Sequence, residues 1–170
     1  MEHSYCYSYG KLNLLPLLHT DIEPLRILRN SNRFCFVNHQ EITSTDQERW
    51  YQNYLKKADD IMFRVEKRDD SGVFVGAIAI YDIDEETNTA EIGRTVIDKE
   101  KCSGYAYGTE ATMAICAFAF DVLKLKTVKC ISKKTNGRIL NVNQKVGFTC
   151  TGEYDKEYYR FELNRSDFAV

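Results

Sequence analysis

The stretch Ser103-Gly104-Tyr105-Ala106-Tyr107-Gly108-Thr109-Glu110-Ala111 marks the point where the chain changes from strand-like to helix-like sequence. A strand-like run, residues 90–97, precedes it, and an almost wholly apolar helix, residues 112–123, follows it. A turn of small residues between a strand and a helix points backbone N–H groups and the positive end of the helix dipole at one spot. Such a spot suits a phosphate, because glycines let an anion approach the main chain closely. The same stretch also fits a tight turn that binds nothing, so the rest of the chain has to decide.

Length and composition predict a single domain over residues 1–170. The chain is 44% hydrophobic, which is enough apolar surface for one core. Its 23 basic residues nearly balance its 25 acidic ones, so no general positive field would hold nucleic acid or an acidic membrane. The longest apolar run, residues 113–120, is far shorter than a membrane span. We therefore expect neither a nucleic-acid nor a membrane partner.

The N-terminus and the cysteines predict a cytoplasmic location. The first five residues are polar and lack the basic and then apolar pattern of a signal peptide. The six cysteines are scattered, with no Cys-x-x-Cys pair and no cluster of histidines. This spacing indicates reduced thiols, without a disulfide framework or a bound metal.

Local signals in the first hundred residues predict a strand, two helices and a three-strand meander. The strand covers residues 12–18 and contains Pro16, which favours a sheet edge. Two capping boxes, at residues 20–23 and 45–48, open the helices, and the second helix runs to about Lys57. The meander comprises residues 61–66, 73–81 and 90–97. Between the helices, residues 31–42 form an aromatic loop, which is typical of a small-molecule pocket and equally of a packed connection.

After the glycine turn, the pattern predicts a helix, a strand, a second helix and a closing hairpin. The first helix is apolar on all sides, as a buried central helix would be. A short strand over residues 127–132 follows, and Asn136 is placed to cap a helix over residues 137–145 that Gly147 ends. Residues 148–153 and 158–163 make the hairpin.

This order of elements and two motifs resemble the GNAT superfamily of N-acetyltransferases over nearly the whole chain. The glycine turn is similar to the family's (Arg/Gln)-x-x-Gly-x-(Gly/Ala) acetyl-CoA loop followed by Thr-Glu-Ala, with Ser103 where a basic or amide residue is usual and Ala106 in place of the first glycine. Residues 136–148 resemble the family's Asn-x-x-(Ser/Ala)-x-x-x-Tyr-x-Lys-x-Gly-Phe signature. The resemblance implies an α+β fold, with a central, mostly antiparallel mixed sheet of about seven strands, splayed in the middle, and four helices on its faces.

One departure from the family motif and several short matches indicate which branches of the family the chain resembles most. Asn143 stands where many members have a Tyr that protonates the departing thiolate, and an amide cannot do that. The same replacement is familiar in the branch of ribosomal-protein and polyamine acetyltransferases. Residues 25–30, residues 41–43 and Trp50 look like members that acetylate nucleotide-linked amino sugars. The resemblance therefore ranks an amino sugar first among acceptors.

The resemblance implies acetyl-CoA as co-substrate and no metal. The coenzyme would lie between residues 95–97 and the strand that begins near Val128, with its pyrophosphate on the glycine turn. Lys99 and Lys101 would add screened attraction. The coenzyme-binding residues implied are Thr95, Val96, Ile97, Ser103, Gly104, Tyr105, Ala106, Tyr107, Gly108, Thr109, Asn136 and Asn143.

The chemistry needs a base, because a primary amine with a pKa near ~10 arrives protonated and cannot attack a thioester. Glu91 is the candidate base, and its alternative reading is a solvated carboxylate at a strand end. A main-chain N–H near Val96 would stabilise the oxyanion. Water or Tyr107 would protonate the thiolate. We expect direct transfer in a ternary complex, with Cys102 as a spectator, because no His accompanies it.

For the acceptor site, the aromatic loop and the helix after it supply the candidates. They are Asn30, Phe34, Phe36, His39, Trp50, Tyr51 and Glu91. Core packing is the alternative for Trp50 and Tyr51. The leading function is N-acetylation of a small amine by a monomer or homodimer. A protein N-terminus or a polyamine remains an alternative acceptor, and an inactive acyl-CoA-binding module is a second alternative.

Overall fold

The computed structural model describes residues 3–102 and 104–169, in which eight strands form one sheet and four α-helices cover it. The strands are β1 (Tyr7–Tyr9), β2 (Leu12–Pro16), β3 (Ile61–Lys67), β4 (Asp70–Asp84), β5 (Thr89–Ile97), β6 (Thr127–Lys133), β7 (Thr149–Glu153) and β8 (Tyr158–Asn164). The helices are α1 (Ile22–Ser31), α2 (Ser44–Tyr54), α3 (Tyr107–Asp121) and α4 (Gly137–Val146). Single 3₁₀ turns cover His19–Asp21, Arg33–Cys35 and Arg165–Asp167.

The sheet is mostly antiparallel and is split in its middle. Its strand order is β1-β2-β3-β4-β5-β6-β8-β7, and β5–β6 is the parallel pair. That pair is short, because only Thr89–Glu91 of β5 is in register with residues 127–129 of β6. Beyond Glu91 the two strands separate, so the expected splayed α+β sheet is confirmed. The last pair in register is Glu91–Lys129.

The extra strand is β1, and it corrects the prediction that the next strand lies at the sheet edge. Tyr7 pairs with Leu14 and Tyr9 with Leu12, so β1 covers the first half of β2. Its three residues are too few for a pattern of period two to be visible in the sequence. Pro16 lies beyond the last β1 partner and pairs with Phe63 on the other side, so its missing N–H costs no bond to β1.

The helices pack on both faces of the sheet. The small and aromatic side chains of α3, among them Ala111, Ile115 and Phe118, are buried against Phe63 and Ile78, which confirms the predicted central helix. On the opposite face, α1 and α2 pack against the sheet through a second cluster. It includes Leu17, Leu25, Tyr51, Tyr54, Met62, Ala77, Ala79 and Val96. Strand β5 contributes Ala90 and Ile92 to the first cluster and Val96 to the second, so it borders both layers of helices.

The capping residues show where local prediction failed. Helix α2 begins at Ser44 because the Thr43 hydroxyl accepts a hydrogen bond from the Asp46 N–H at 3.1 Å, so the capping box predicted at residues 45–48 was wrong. The box predicted at residues 20–23 was also wrong, because the Asp21 carboxylate accepts from the Leu18 N–H instead. Helix α4 is capped by Asn136 as predicted, through the Ile139 N–H, and ends at Gly147 with φ +101°.

No helix within residues 3–102 and 104–169 is both long and apolar enough to cross a membrane.

Candidate active site

A cleft of about 530 Å³ opens where β5 and β6 separate. Its walls are the end of β5, the first turns of α3 and α4, and the Arg33–Cys35 turn. The structure brings together in this cleft most of the coenzyme-binding residues that the resemblance implied. These are Thr95, Val96, Ile97, Tyr105, Ala106, Tyr107, Gly108, Thr109 and Asn136.

The first turn of α3 forms one wall of the cleft. Ala106 precedes the helix, and its carbonyl accepts the first regular helical bond from the Glu110 N–H at 3.0 Å. The N–H groups of Gly108 and Thr109 have no acceptor one turn earlier in the helix, so they remain available to an anion, whereas the Tyr107 N–H donates to the Tyr105 carbonyl at 3.0 Å. A Cβ built on Gly108 would meet nothing within 4 Å, so the main chain is open there. Ser103 lies outside the described residues, and Gly104 forms the turn beside the cleft with φ +80°.

The glycine turn before α3 is held in place by the side chain of Glu110, which is 8% exposed. Its Oε1 accepts hydrogen bonds from the Tyr105 hydroxyl at 2.9 Å and from the Lys11 N–H at 3.2 Å. The bond to Glu110 is the largest cause of a raised Tyr105 pKa. The ammonium of Lys11 lies 4.4 Å from the centre of the Tyr105 ring. This network ties the loop to the β1–β2 turn.

Cationic side chains face the cleft from two sides. Lys99 lines it, as expected, whereas Lys101 is bound to the Phe74 carbonyl at 3.1 Å and to Asp98 at 3.7 Å. Arg138, in the first turn of α4, is exposed and also lines the cleft. Arg138 was not predicted as a cleft residue, although its position two residues after the helix-capping Asn136 could have indicated this location.

Glu91 lies where β5 is still paired on both sides, opposite Tyr81 of β4 and Lys129 of β6. It is half-buried and is not among the described residues that line the cleft. Burial, and then the charge of Glu91, raise the pKa of Tyr81. A Cβ on Gly93 would lie 2.8 Å from the Tyr81 hydroxyl, so that hydroxyl sits over β5 between Glu91 and the cleft wall. Neither Glu91 nor Tyr81 is among the described residues that line the cleft, so a proton that passes between the cleft and Glu91 has to travel through water as well.

Asn143 is placed differently from its predicted role. It is 1% exposed, and its amide donates a hydrogen bond to the Ser132 hydroxyl at 2.9 Å. The cleft is lined instead by Asn141 and Val142, the residues just before it on α4. The structure thus argues against the predicted coenzyme contact of Asn143, because its side chain faces inward.

On the acceptor side, Phe36 is the one aromatic candidate that lines the cleft among the described residues. The guanidinium of Arg29 stacks 3.4 Å from the centre of its ring, and burial lowers the pKa of Arg29 to about 10, so it stays charged at neutral pH. Asn32 and Cys35 line the same wall and were missed. Polar and sulfhydryl groups in a loop without periodicity carried no signal that could have found them.

The other acceptor candidates lie elsewhere. Asn30 is engaged by both its amide atoms with the N–H and C=O of Ile42, each at 2.9 Å, which holds the loop closed. Tyr51 is 3% exposed in the second core cluster, and Trp50 stacks on Tyr54, so core packing describes both. Phe34 is 67% exposed and stacks on His39, outside the cleft wall.

Cys102 also lines the cleft but is poorly suited to act as a nucleophile. It is 7% exposed, and burial raises the pKa of its thiol. A raised pKa lowers the fraction of reactive thiolate. All six cysteines carry free thiols.

Comparison with known proteins places this geometry in a family. A sequence profile described as an acetyltransferase (GNAT) domain matches residues 11–149, most of the chain. No curated protein sequence matches the chain significantly. The match to the acetyltransferase profile confirms the expected class of enzyme, an acyltransferase.

Solved structures show the same fold at low identity. Spermidine N-acetyltransferase from Vibrio cholerae, in complex with CoA and spermine, has a TM-score of 0.81 and 17% identity, with 92% of this chain and 97% of that chain covered. FdhC, described as a nucleotide-linked sugar GNAT, also has a TM-score of 0.81 and 17% identity, covering 97% and 93%. A GNAT-family acetyltransferase from Bacillus anthracis has a TM-score of 0.80 and 19% identity, covering 95% and 99%. The chain belongs to the GNAT family of acetyltransferases.

Proposed function

We propose that the protein transfers the acetyl group of acetyl-CoA to a primary amine of a small molecule, by direct attack within a ternary complex. The observation that carries this proposal is the cleft at which β5 leaves β6 beside the first turn of α3. One wall is a strand edge that has lost its neighbour, and the other is the positive end of a helix. This combination suits a ligand that is amide-bearing at one end and anionic at the other.

The coenzyme matches both walls. Its pantetheine amides would hydrogen-bond to the main chain of Thr95–Ile97 as an added strand does. Its pyrophosphate would accept from the N–H groups of Gly108 and Thr109, and Lys99 and Arg138 would add opposite charge. Asn136 also lines the cleft, and its amide nitrogen would be available to the coenzyme because its oxygen is used in capping α4.

The reaction removes two protons from the amine nitrogen, one from the bound ammonium before attack and one from the tetrahedral intermediate to water, and it returns one proton to the departing sulfur. Glu91 would accept the proton of the bound ammonium through water, alone or together with the Tyr81 hydroxyl, and the free amine then attacks the thioester carbonyl. The Val96 N–H would donate to the oxyanion. When the C–S bond breaks, the thiolate leaves with its electron pair and takes a proton from water. The pKa of the thiol is roughly 8.5, so no strong acid is needed to protonate the thiolate. Tyr107 lines the cleft at the pyrophosphate end, which favours water as the donor.

An amino sugar, carried on a nucleotide, is the acceptor that we favour over a polyamine. The charged side chains that line the described cleft are Lys99 and Arg138, so this lining offers no carboxylate to pair with a polycation. Phe36 offers an apolar ring face, and Asn32 an amide, as the faces and hydroxyls of a sugar require. The FdhC structure, of similar fold, is described as a nucleotide-linked sugar GNAT, which supports the same ranking.

The decisive experiment measures the release of free CoA with a thiol reagent across amino sugars with and without a nucleotide, polyamines, and peptides with free N-termini. We expect turnover with the nucleotide-linked amino sugars. If spermidine or a peptide were turned over preferentially, that amine would replace the amino sugar as the proposed acceptor. The proposed acetyltransferase activity would still stand. Coenzyme binding without release for every amine would support an inactive acyl-CoA-binding module instead.

We also propose that residues 1–170 act as one cytoplasmic domain, as a monomer or a homodimer. Light scattering during size-exclusion chromatography distinguishes the two states. A single cooperative unfolding transition would support one domain.

A further inference from the structure

Strand β5 contains a bulge at the point where it becomes a wall of the cleft. Ala79 of β4 pairs with Gly93, and Ala77 pairs with Val96, so Arg94 and Thr95 together face one residue, Ile78. Arg94 has φ +52°, a left-handed conformation that is unfavourable for any residue with a Cβ. The bulge follows the last residue paired with β6 by only a few positions and immediately precedes Val96. Its shape therefore decides where the main chain of Thr95–Ile97 points.

The Arg94 side chain is held at its far end by a buried carboxylate. Its Nη1 donates to both oxygens of Asp60, at 2.8 and 2.9 Å, and Asp60 is 4% exposed. The guanidinium also lies over the Tyr81 ring, 4.2 Å from its centre. Asp60 immediately precedes β3, and Tyr81 belongs to β4. The side chain of a strained residue is thus anchored to two neighbouring elements.

We infer that Arg94 is a positioning residue, whose clamp to Asp60 and Tyr81 holds the β5 bulge in the conformation that presents Thr95–Ile97 to acetyl-CoA. The part of this inference that concerns the coenzyme rests on the proposed function. A residue with a Cβ but no clamp would relax toward negative φ and rotate the peptide plane that leads to Thr95. Glycine has no such tendency, because it adopts positive φ freely. The clamp is therefore needed only while residue 94 carries a Cβ.

A matched pair of double variants tests whether the clamp is needed because residue 94 carries a Cβ. The pair is Asp60→Asn/Arg94→Gly and Asp60→Asn/Arg94→Ala. Both lack the ion pair, both have the same net charge, and they differ by one methyl group. Replacing Asp60 in both avoids leaving a buried carboxylate with only the more distant Lys57, at 3.8 Å, as its cation. We expect the glycine variant to bind acetyl-CoA within about 3-fold of the wild-type affinity and the alanine variant to bind at least about 10-fold more weakly, since the penalty for a left-handed Cβ is of that size.

The test measures acetyl-CoA affinity by calorimetry and the amide resonances of Thr95, Val96 and Ile97 by NMR without ligand. In the alanine variant these resonances should shift, and in the glycine variant they should stay near their wild-type positions. Equal affinities and equal spectra for the two variants would overturn the inference. It would also be overturned if the glycine variant bound as weakly as the alanine variant, because the guanidinium itself would then matter.

The two proposals fail separately. If the wild-type protein did not bind acetyl-CoA, the proposed function would be lost, but the ligand-free amide spectra would still decide whether the clamp holds the bulge. A loss of acceptor affinity alone, with acetyl-CoA affinity retained, would assign Arg94 to the acceptor site and contradict a positioning role.

Discussion

Asn143 of α4 and Ser132 of β6 are joined by a buried hydrogen bond of 2.9 Å, from the amide of Asn143 to the hydroxyl of Ser132. Both residues are nearly inaccessible, at 1% and 3% exposure. The bond fixes α4 to the strand that forms the far side of the splayed sheet. Asn143 thus serves the fold, at a position where many relatives carry a tyrosine acid.

Replacing Asn143 with Ala should reduce stability and leave the chemistry intact. Removing the amide leaves the Ser132 hydroxyl buried without its partner, which costs about 1–3 kcal/mol in unfolding free energy. Urea unfolding measures this loss, and the pH dependence of kcat should keep its wild-type shape. Asn141→Ala is the matched control, because Asn141 is exposed on the same helix and lines the cleft, so it should alter KM and not stability. A new ionisation in the profile of Asn143→Ala would restore Asn143 to the mechanism.

Glu91→Gln should lower kcat/KM by at least ~10-fold, equivalent to ~1.4 kcal/mol, while acetyl-CoA binding is retained. The reason is that glutamine cannot accept the proton of the ammonium. Steady-state kinetics and calorimetry on the same preparation measure the two effects, and Glu153→Gln, on the exposed strand β7, is the surface control. Unchanged pH–rate behaviour would remove Glu91 from the reaction.

Tyr81→Phe tests whether the proton passes through the Tyr81 hydroxyl. Because burial raises the Tyr81 pKa above its ordinary value near 10, the hydroxyl stays protonated throughout pH 6–9 and acts there only as a relay. We therefore expect a loss of activity that is constant over this range, and no further loss when Tyr81→Phe is added to Glu91→Gln. Full activity of Tyr81→Phe would leave water as the relay.

Alkylation of Cys35 reports on occupancy of the cleft, and alkylation of two other exposed cysteines serves as the control. Cys35 is exposed and lines the cleft, whereas Cys6 and Cys150 are exposed elsewhere. Acetyl-CoA should slow alkylation of Cys35 and leave Cys6 and Cys150 unaffected, as measured by peptide mass spectrometry. Equal rates at all three with and without acetyl-CoA would place the coenzyme outside this cleft.

Cys102 should react slowly and should be dispensable. Burial raises the pKa of its thiol, so its alkylation rate should still be rising at pH values where the rate for free cysteine has levelled off. Cys102→Ser should retain most activity. A large loss of activity would indicate an acyl-cysteine intermediate.

Gly10→Ala should destabilise the glycine turn before α3 from a distance. A Cβ at Gly10 would overlap Oε1 of Glu110, the atom that holds Tyr105 and Lys11. Gly72→Ala is the matched control, because Gly72 also has a positive φ but would place its Cβ in open space. Both variants pay the left-handed penalty of about 1–2 kcal/mol, and Gly10→Ala should lose about 1–3 kcal/mol more in thermal unfolding and also bind acetyl-CoA more weakly. Equal losses would mean that Glu110 moves aside freely.

The parts of the fold that follow from short-range signals could be predicted from the sequence. The cap at Asn136, the stop at Gly147 and the all-apolar stripe of α3 each act within a few residues, so the pattern contains the information. Strand β1 could not be found, because its three residues are defined by pairing with β2. The cap of α2 was misassigned because Thr43 and Thr45 are both plausible locally, and the sequence pattern does not decide between them.

The part of the cleft formed by β5 and α3 was predictable, and the part formed by the loop between α1 and α2 was not. The glycine turn and the strand before it carry fixed spacing, and the structure gathers them around one cleft. Most candidate acceptor residues lie in or next to the loop between α1 and α2, where an aromatic residue signals only burial. Phe36 faces the cleft while Tyr51 faces the core, and this distinction depends on the path of the loop that the Asn30–Ile42 bonds fix.

Titration calorimetry with acetyl-CoA on the wild-type protein, Gly108→Leu and Gly137→Leu tests most directly whether the first turn of α3 holds the coenzyme. Both glycines have open space beyond their Cα atoms, but Gly108 lines the cleft and Gly137 is absent from the lining described. We expect wild type and Gly137→Leu to bind within about 3-fold of each other, and Gly108→Leu to bind at least about 100-fold more weakly, because its side chain fills the anion site. No heat with the wild-type protein, or full affinity in Gly108→Leu, would contradict the assignment of this cleft to acetyl-CoA.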